Sequence, residues 1–150
     1  MKRSERMQRL NSLNIDQRDQ ASRKLGLLIA EHGRQLERLE KLQSYHLDYQ
    51  QQLRAKQPTS NSARELDQFR RFLASLRLAI SQQEQQVAAA EHQVGLGQLD
   101  WQSRQSEVRK LELLCEKLIL GEGKRSQRTE QQQVDEANLR NYWRDSSNAT

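Results

Sequence analysis

The sequence predicts an all-α protein, a long antiparallel two-helix coiled-coil hairpin with a short, partly disordered C-terminal tail. Three observations lead there. Only 34% of the 150 residues are hydrophobic and 30% are charged, a balance too polar for a domain with a thick core. One proline and six glycines are few for a disordered linker, and much of the polarity comes from Gln, Arg, Glu and Lys, which favour helix. Stepping by seven from Leu66 meets Leu73, Ile80, Val87, Val94, Trp101, Val108 and Cys115, an unbroken apolar column whose period marks a coiled-coil seam.

Helix one is expected over roughly residues 4–54. Leu25, His32, Leu39, His46 and Leu53 form one column, and Leu28, Gln35, Leu42 and Tyr49 the other. Ile29 and Leu36 widen the stripe, as a helix covering a facing helix requires. Before Leu25 the pattern frays to Ala21, Leu13 and Leu10. The turn is expected at about residues 55–62, where Pro58 cannot continue a helix and Thr59, Ser60, Asn61 and Ser62 are turn and N-cap formers. Ser62 followed three residues later by Glu65 fits a capping box.

Helix two is expected over roughly residues 63–120. Phe69, Leu76, Ala90, Leu111 and Leu118 fill most of its second column, interrupted by Gln83, Gly97 and Arg104. A short connection makes the two helices antiparallel neighbours. Pairing Leu53 with about residue 66 sets Leu39 near Ile80 and Leu25 near Val94. At 1.5 Å per residue each arm of such a rod would span roughly 75–85 Å. Gly121 and Gly123 provide a stop for helix two. The hairpin then occupies residues 1–120 and the tail residues 121–150, with a possible short helix at about 126–143 carrying Val134, Ala137, Leu139, Tyr142 and Trp143. The Tyr142–Trp143 pair reads either as a contact point or as partial packing. Gly95 and Gly97 fall opposite Gly26 in this register. They suit either a bendable or closely packed waist or a tolerated local weakness.

The same residues argue against catalysis. No Gly-rich phosphate loop and no nucleophile-elbow motif occurs. The lone Cys115 sits on the seam with no base partner evident, and His32, His46 and His92 lack convergent ligands at helical spacing. A non-enzyme without metal, cofactor or small-molecule ligand is expected. No apolar run approaches the roughly 20 residues of a membrane span, and MKRSERMQRL is basic without a signal-peptide core. A cytoplasmic protein follows as the expectation.

The net charge of +5 is unevenly spread. Lys2, Arg3, Arg6 and Arg9 stand against Glu5 in residues 1–10. Arg109, Lys110, Lys117, Lys124 and Arg125 stand against three acids in residues 109–125, which the register places alongside. At the turn end, Arg54, Lys56, Arg64, Arg70, Arg71 and Arg77 stand against Glu65 and Asp67. Such clusters are too sparse for a helical DNA reader, and charge on a coiled-coil exterior is usually solvated. Steering onto acidic protein surfaces is the preferred reading; a generic coiled-coil scaffold or weak nucleic-acid binder is the alternative.

Near the turn end, Leu42, Tyr45, Tyr49, Phe72, Leu76 and Ala79 gather into one apolar and aromatic surface flanked by Arg38, Arg71 and Arg77. Tyrosine and arginine are enriched at the energetic centres of protein interfaces. Widening of the core stripe accounts for Tyr49 and Leu76 more easily than for Tyr45 and Phe72. Here the stretches RKLG (23–26), LEKLQSYHLDYQQQL (39–53) and FRRFLASLRLAISQQ (69–83), with the later Trp101, resemble the FliJ family of flagellar type III export proteins over about residues 20–115. The YscO-like stalk proteins of injectisomes are a near alternative. The resemblance implies a cytoplasmic coiled coil similar to the stalk of rotary ATPases. It would insert into the ring of the export ATPase FliI, contact the export-gate protein FlhA, and interact with export chaperones. It would be peripheral to the membrane through these partners. The six-residue surface would face FlhA, and the basic end bearing both termini would enter the ring.

Overall fold

The structure, a computed structural model, describes residues 2–56 and 63–149. It is a helical hairpin of two α-helices, α1 (Arg3–Lys56) and α2 (Ala63–Asn148), packed against each other. The expected turn residues Pro58 to Ser62, and with them the Ser62–Glu65 capping box, lie outside the described residues. Among the described residues no helix is long and apolar enough to cross a membrane.

The length of α2 departs from expectation. The stop at Gly121 and Gly123 is absent, and the helix continues to Asn148. A glycine ends a helix by adopting a left-handed conformation, and no described glycine has a positive φ. Many of the residues that follow, Lys124, Arg125, Gln127, Arg128, Glu130, Gln131, Gln132 and Gln133 among them, are good helix formers. The tail is therefore the end of α2 rather than a separate short helix.

The chain forms two compact units. The first joins residues 18–56 of α1 to residues 63–103 of α2. Its seam holds Leu25, Leu28, Leu39, Leu42, Tyr49 and Leu53 on one side and Leu66, Phe69, Leu76, Ile80, Val87, Val94 and Trp101 on the other, all half-buried, with Ala21 and Leu73 buried. Full burial of one leucine side chain stabilises by about 1.5–3 kcal/mol, and two helices alone achieve that at few positions. Polar contacts fix the register. Gln83 Nε2 donates to the Gln35 carbonyl oxygen at 2.9 Å and to its Oε1 at 2.7 Å, which completes the seam where both columns are polar. Arg77 Nε donates to His46 Nε2 at 3.3 Å.

Gly97 belongs to this seam. A Cβ built on it would lie 2.9 Å from Leu28 Cδ1 and 3.3 Å from Leu25 Cδ1. Gly26 and Gly95 have nothing within 4 Å of that position. The close approach is thus made by one glycine of the three, not by a glycine-lined waist.

The second unit joins residues 1–17 to residues 104–150. Val108 and Cys115 are buried on α2, and on α1 the buried residues are Ser4 and Asn11. Leu10 and Leu13, to which the apolar pattern frays, are 49% and 62% exposed. Sevenfold stepping back from Leu25 gives Arg18, Asn11 and Ser4, so the seam keeps its period while its residues turn polar. Arg104 Nη1 donates to Gln17 Oε1 at 2.6 Å. Asn11 Oδ1 is buried with no hydrogen-bond partner.

A candidate docking surface and the family of the chain

The six residues of the expected surface all belong to the first unit, Leu42, Tyr45 and Tyr49 on α1 and Phe72, Leu76 and Ala79 on α2. Leu42, Tyr49, Leu76 and Ala79 are half-buried, because each sits on or beside a seam column. Tyr45 and Phe72 lie further round their helices and are 55% and 44% exposed. The Tyr49 ring packs edge-on against Phe72, centroids 4.7 Å apart at 68°, and against Phe69 at 6.0 Å. Edge-to-face pairs of this kind add about 0.5–1.5 kcal/mol beyond the area they bury. Tyr49 is therefore the joint that brings the two helices' aromatic residues together.

Phe69 belongs with the surface although its column position alone marked it as core. Lys56 Nζ lies 4.9 Å from its ring centroid, within cation–π range. Tyr49, Gln68, Phe69 and Phe72 line one shallow groove. The neighbouring cations are fixed differently from one another. Arg71 pairs with Asp67 at 3.1 Å one turn earlier on the same helix, and Arg77 is held by His46 across the seam. Arg38 is exposed.

The basic positions of the second unit (Lys2, Arg3, Arg6, Arg9, Arg109, Lys110, Lys117, Lys124 and Arg125) are all exposed. Arg109 and Lys110 make pairs along α2 with Glu112 and Glu107, each at 3.3 Å. The same unit holds a contact that apolar pattern counting did not find. Ser4 donates to Glu122 twice, from its backbone N–H to Oε1 at 3.1 Å and from Oγ to Oε2 at 2.6 Å. Those two bonds hold the Glu122 carboxyl below its ordinary range, with the charges of Lys2 and Arg125 adding to the effect. The signal was present in the sequence, since Glu122 is the seventh residue after Cys115 and Ser4 the seventh before Asn11. Glu31 is also lowered, first by the hydrogen bond from Gln35 and then by Arg34. Among the described residues no cluster of three metal-ligating side chains forms.

The exposed rings of Tyr45 and Phe72 stand beside the Tyr49 contact on the two-helix seam. A family model described as the flagellar FliJ protein matches residues 2–147. The chain belongs to the FliJ family. The match reaches past the 20–115 stretch that carried the resemblance and takes in nearly all of α2. Neither the curated proteins nor the solved structures gave a match. As a FliJ-family protein the chain belongs with the flagellar export apparatus, and its hairpin of long helices is the architecture the resemblance led us to expect.

Proposed function

We propose that this FliJ-family chain is a non-catalytic cytoplasmic stalk that couples the export ATPase ring, FliI, to the export gate, FlhA, and also engages export chaperones. It would sit at the inner face of the membrane through those partners. The exposure of Tyr45 and Phe72 beside the Tyr49 joint carries this reading. Large aromatic side chains left in water on a chain with so little apolar content suit an interface centre better than a core. In this reading Leu42, Tyr45, Tyr49, Phe72, Leu76 and Ala79 face the gate. The basic positions around the helix termini of the second unit face the ring.

The test is a Tyr45→Ala/Phe72→Ala double substitution. Truncating two interface anchors costs about 2 kcal/mol or more each, so affinity for the FlhA cytoplasmic domain should fall by roughly 1,000-fold and motility should be lost. Both side chains are substantially exposed, so the helical circular-dichroism signal should stay at the wild-type level. Unchanged motility with unchanged FlhA binding would remove these residues from the interface.

A further inference from the structure

Gly121, Glu122 and Gly123 stand together where α2 passes the beginning of α1. Neither glycine has a packing reason to be there, since a Cβ on either would meet nothing within 4 Å. Neither takes a positive φ, so neither serves as a cap. Each lowers the statistical weight of the helix about five-fold relative to alanine. Two glycines within three residues also form a ready stop, because either one can turn left-handed and close a helix at Leu120. The observed helix nevertheless runs through them.

Between the two glycines, Glu122 is in contact with α1. The first N–H groups of a helix have no partner within it, and the Ser4 N–H, in the first turn of α1, is taken by Glu122 Oε1. The Ser4 hydroxyl takes the other carboxylate oxygen, and the negative charge lies at the positive end of the α1 dipole. The depressed carboxyl of Glu122 agrees with bonds made to its charged form. Beyond this point α2 runs without cover: from Gly123 to Ala149 every residue except Ala137 is exposed, Val134, Leu139, Tyr142 and Trp143 among them.

We propose that Gly121–Glu122–Gly123 is a latched hinge. α2 is continuous while the Glu122 carboxylate caps the first turn of α1. It breaks between Leu120 and Lys124 when that cap is withdrawn, which frees residues 124–148 as a separately oriented helical arm. Glu122 and Ser4 are positioning residues in this device, and the glycines determine where the helix yields. The arm then presents its apolar side chains in a direction set by a single contact between the two helices.

Limited trypsin digestion of the full chain tests this, because Lys124 and Arg125 are cleavage sites immediately beyond the hinge. Cleavage there is measured against cleavage after Arg140, in the arm, and after Lys117, in the packed part of the unit. Glu122→Gln should raise the hinge cut about five- to ten-fold over both controls, and Ser4→Ala, which keeps the backbone bond, should raise it less. Adding Gly121→Ala and Gly123→Ala to either variant should bring the hinge cut back to wild-type level or below. An unchanged hinge cut in Glu122→Gln overturns the proposal. So does an equal rise at Lys117 or Arg140, or no effect of the alanine pair.

Discussion

Gly95 and Gly97 stand two residues apart on α2, and only the second is touched by α1. That difference separates backbone cost from packing. At Gly95 alanine meets open space, so Gly95→Ala should stabilise by about 1 kcal/mol from helix propensity alone. At Gly97 the same gain is opposed by the Leu28 methyl at 2.9 Å. Gly97→Ala should therefore be close to neutral, and Gly97→Leu should destabilise by about 1–3 kcal/mol as overpacking. Urea midpoints of the three variants read the order directly. Periodicity showed that Gly97 lies on a seam column while Gly95 does not, but closeness of approach depends on the rotamers of Leu25 and Leu28. Tyr45 and Phe72 were legible as surface residues because they miss both columns. The reach of Tyr49 to Phe69 was not, since it depends on how one ring tilts across the seam.

At the scale of the helix, a heptad column keeps its meaning when its residues become polar. The apolar members from Leu66 to Cys115 were plain in the sequence, and so was the pairing of Leu39 with the region of Ile80, next to which Gln35 and Gln83 meet. Ser4, Asn11 and Glu122 continue the same columns and were invisible to a search for apolar side chains. The end of α2 was misplaced because a pair of glycines reads as a stop, whereas neither takes the left-handed conformation and the helix runs on to Asn148. The Ser4–Glu122 contact also sets a pH dependence. The carboxyl of Glu122 is lowered in the folded protein from a reference of 4.5. Its stabilising contribution is therefore complete above the ordinary carboxylate range and is lost as pH falls through the lowered value. Protection of the first-turn amides of α1 should accordingly differ between wild type and Glu122→Gln at pH 7, and the two should converge as pH falls through the lowered Glu122 value. Hydrogen exchange of residues 4–8 measures it.

For the molecule as a whole, the accessible surface is 11,959 Å², whereas a compact chain of 17.6 kDa exposes about 7,900 Å². By the same scaling the chain buries only about half of its unfolded surface, against roughly 70% for an ordinary domain of this size. This is the structural counterpart of a mean hydropathy of −1.05: the apolar residues suffice for a seam and a surface, and little else. Stability is correspondingly small, and binding of the native form adds to it by mass action. A partner engaging the aromatic surface at 100 times its dissociation constant should contribute about 2.7 kcal/mol. The thermal midpoint should rise with FlhA concentration for wild type and remain fixed for the Tyr45→Ala/Phe72→Ala variant. Membership of the FliJ family was readable from residues 20–115, through the stretches 23–26, 39–53 and 69–83 and the later Trp101, while the basic residues of the second unit resembled nothing specific because solvated charge tolerates exchange.

The burial of Cys115 makes the chain its own chemical clock. Its thiol is 6% exposed on the seam of the second unit, and a thiol reacts through its accessible thiolate. Cys115 borders a groove with Asn11, Ile15 and Ile119, so an alkylating reagent labels it slowly in the packed unit and faster whenever the helices part there, and a rise in the labelling rate reports that opening. With one cysteine in 150 residues, that opening can be followed without adding any probe, including while partners come and go.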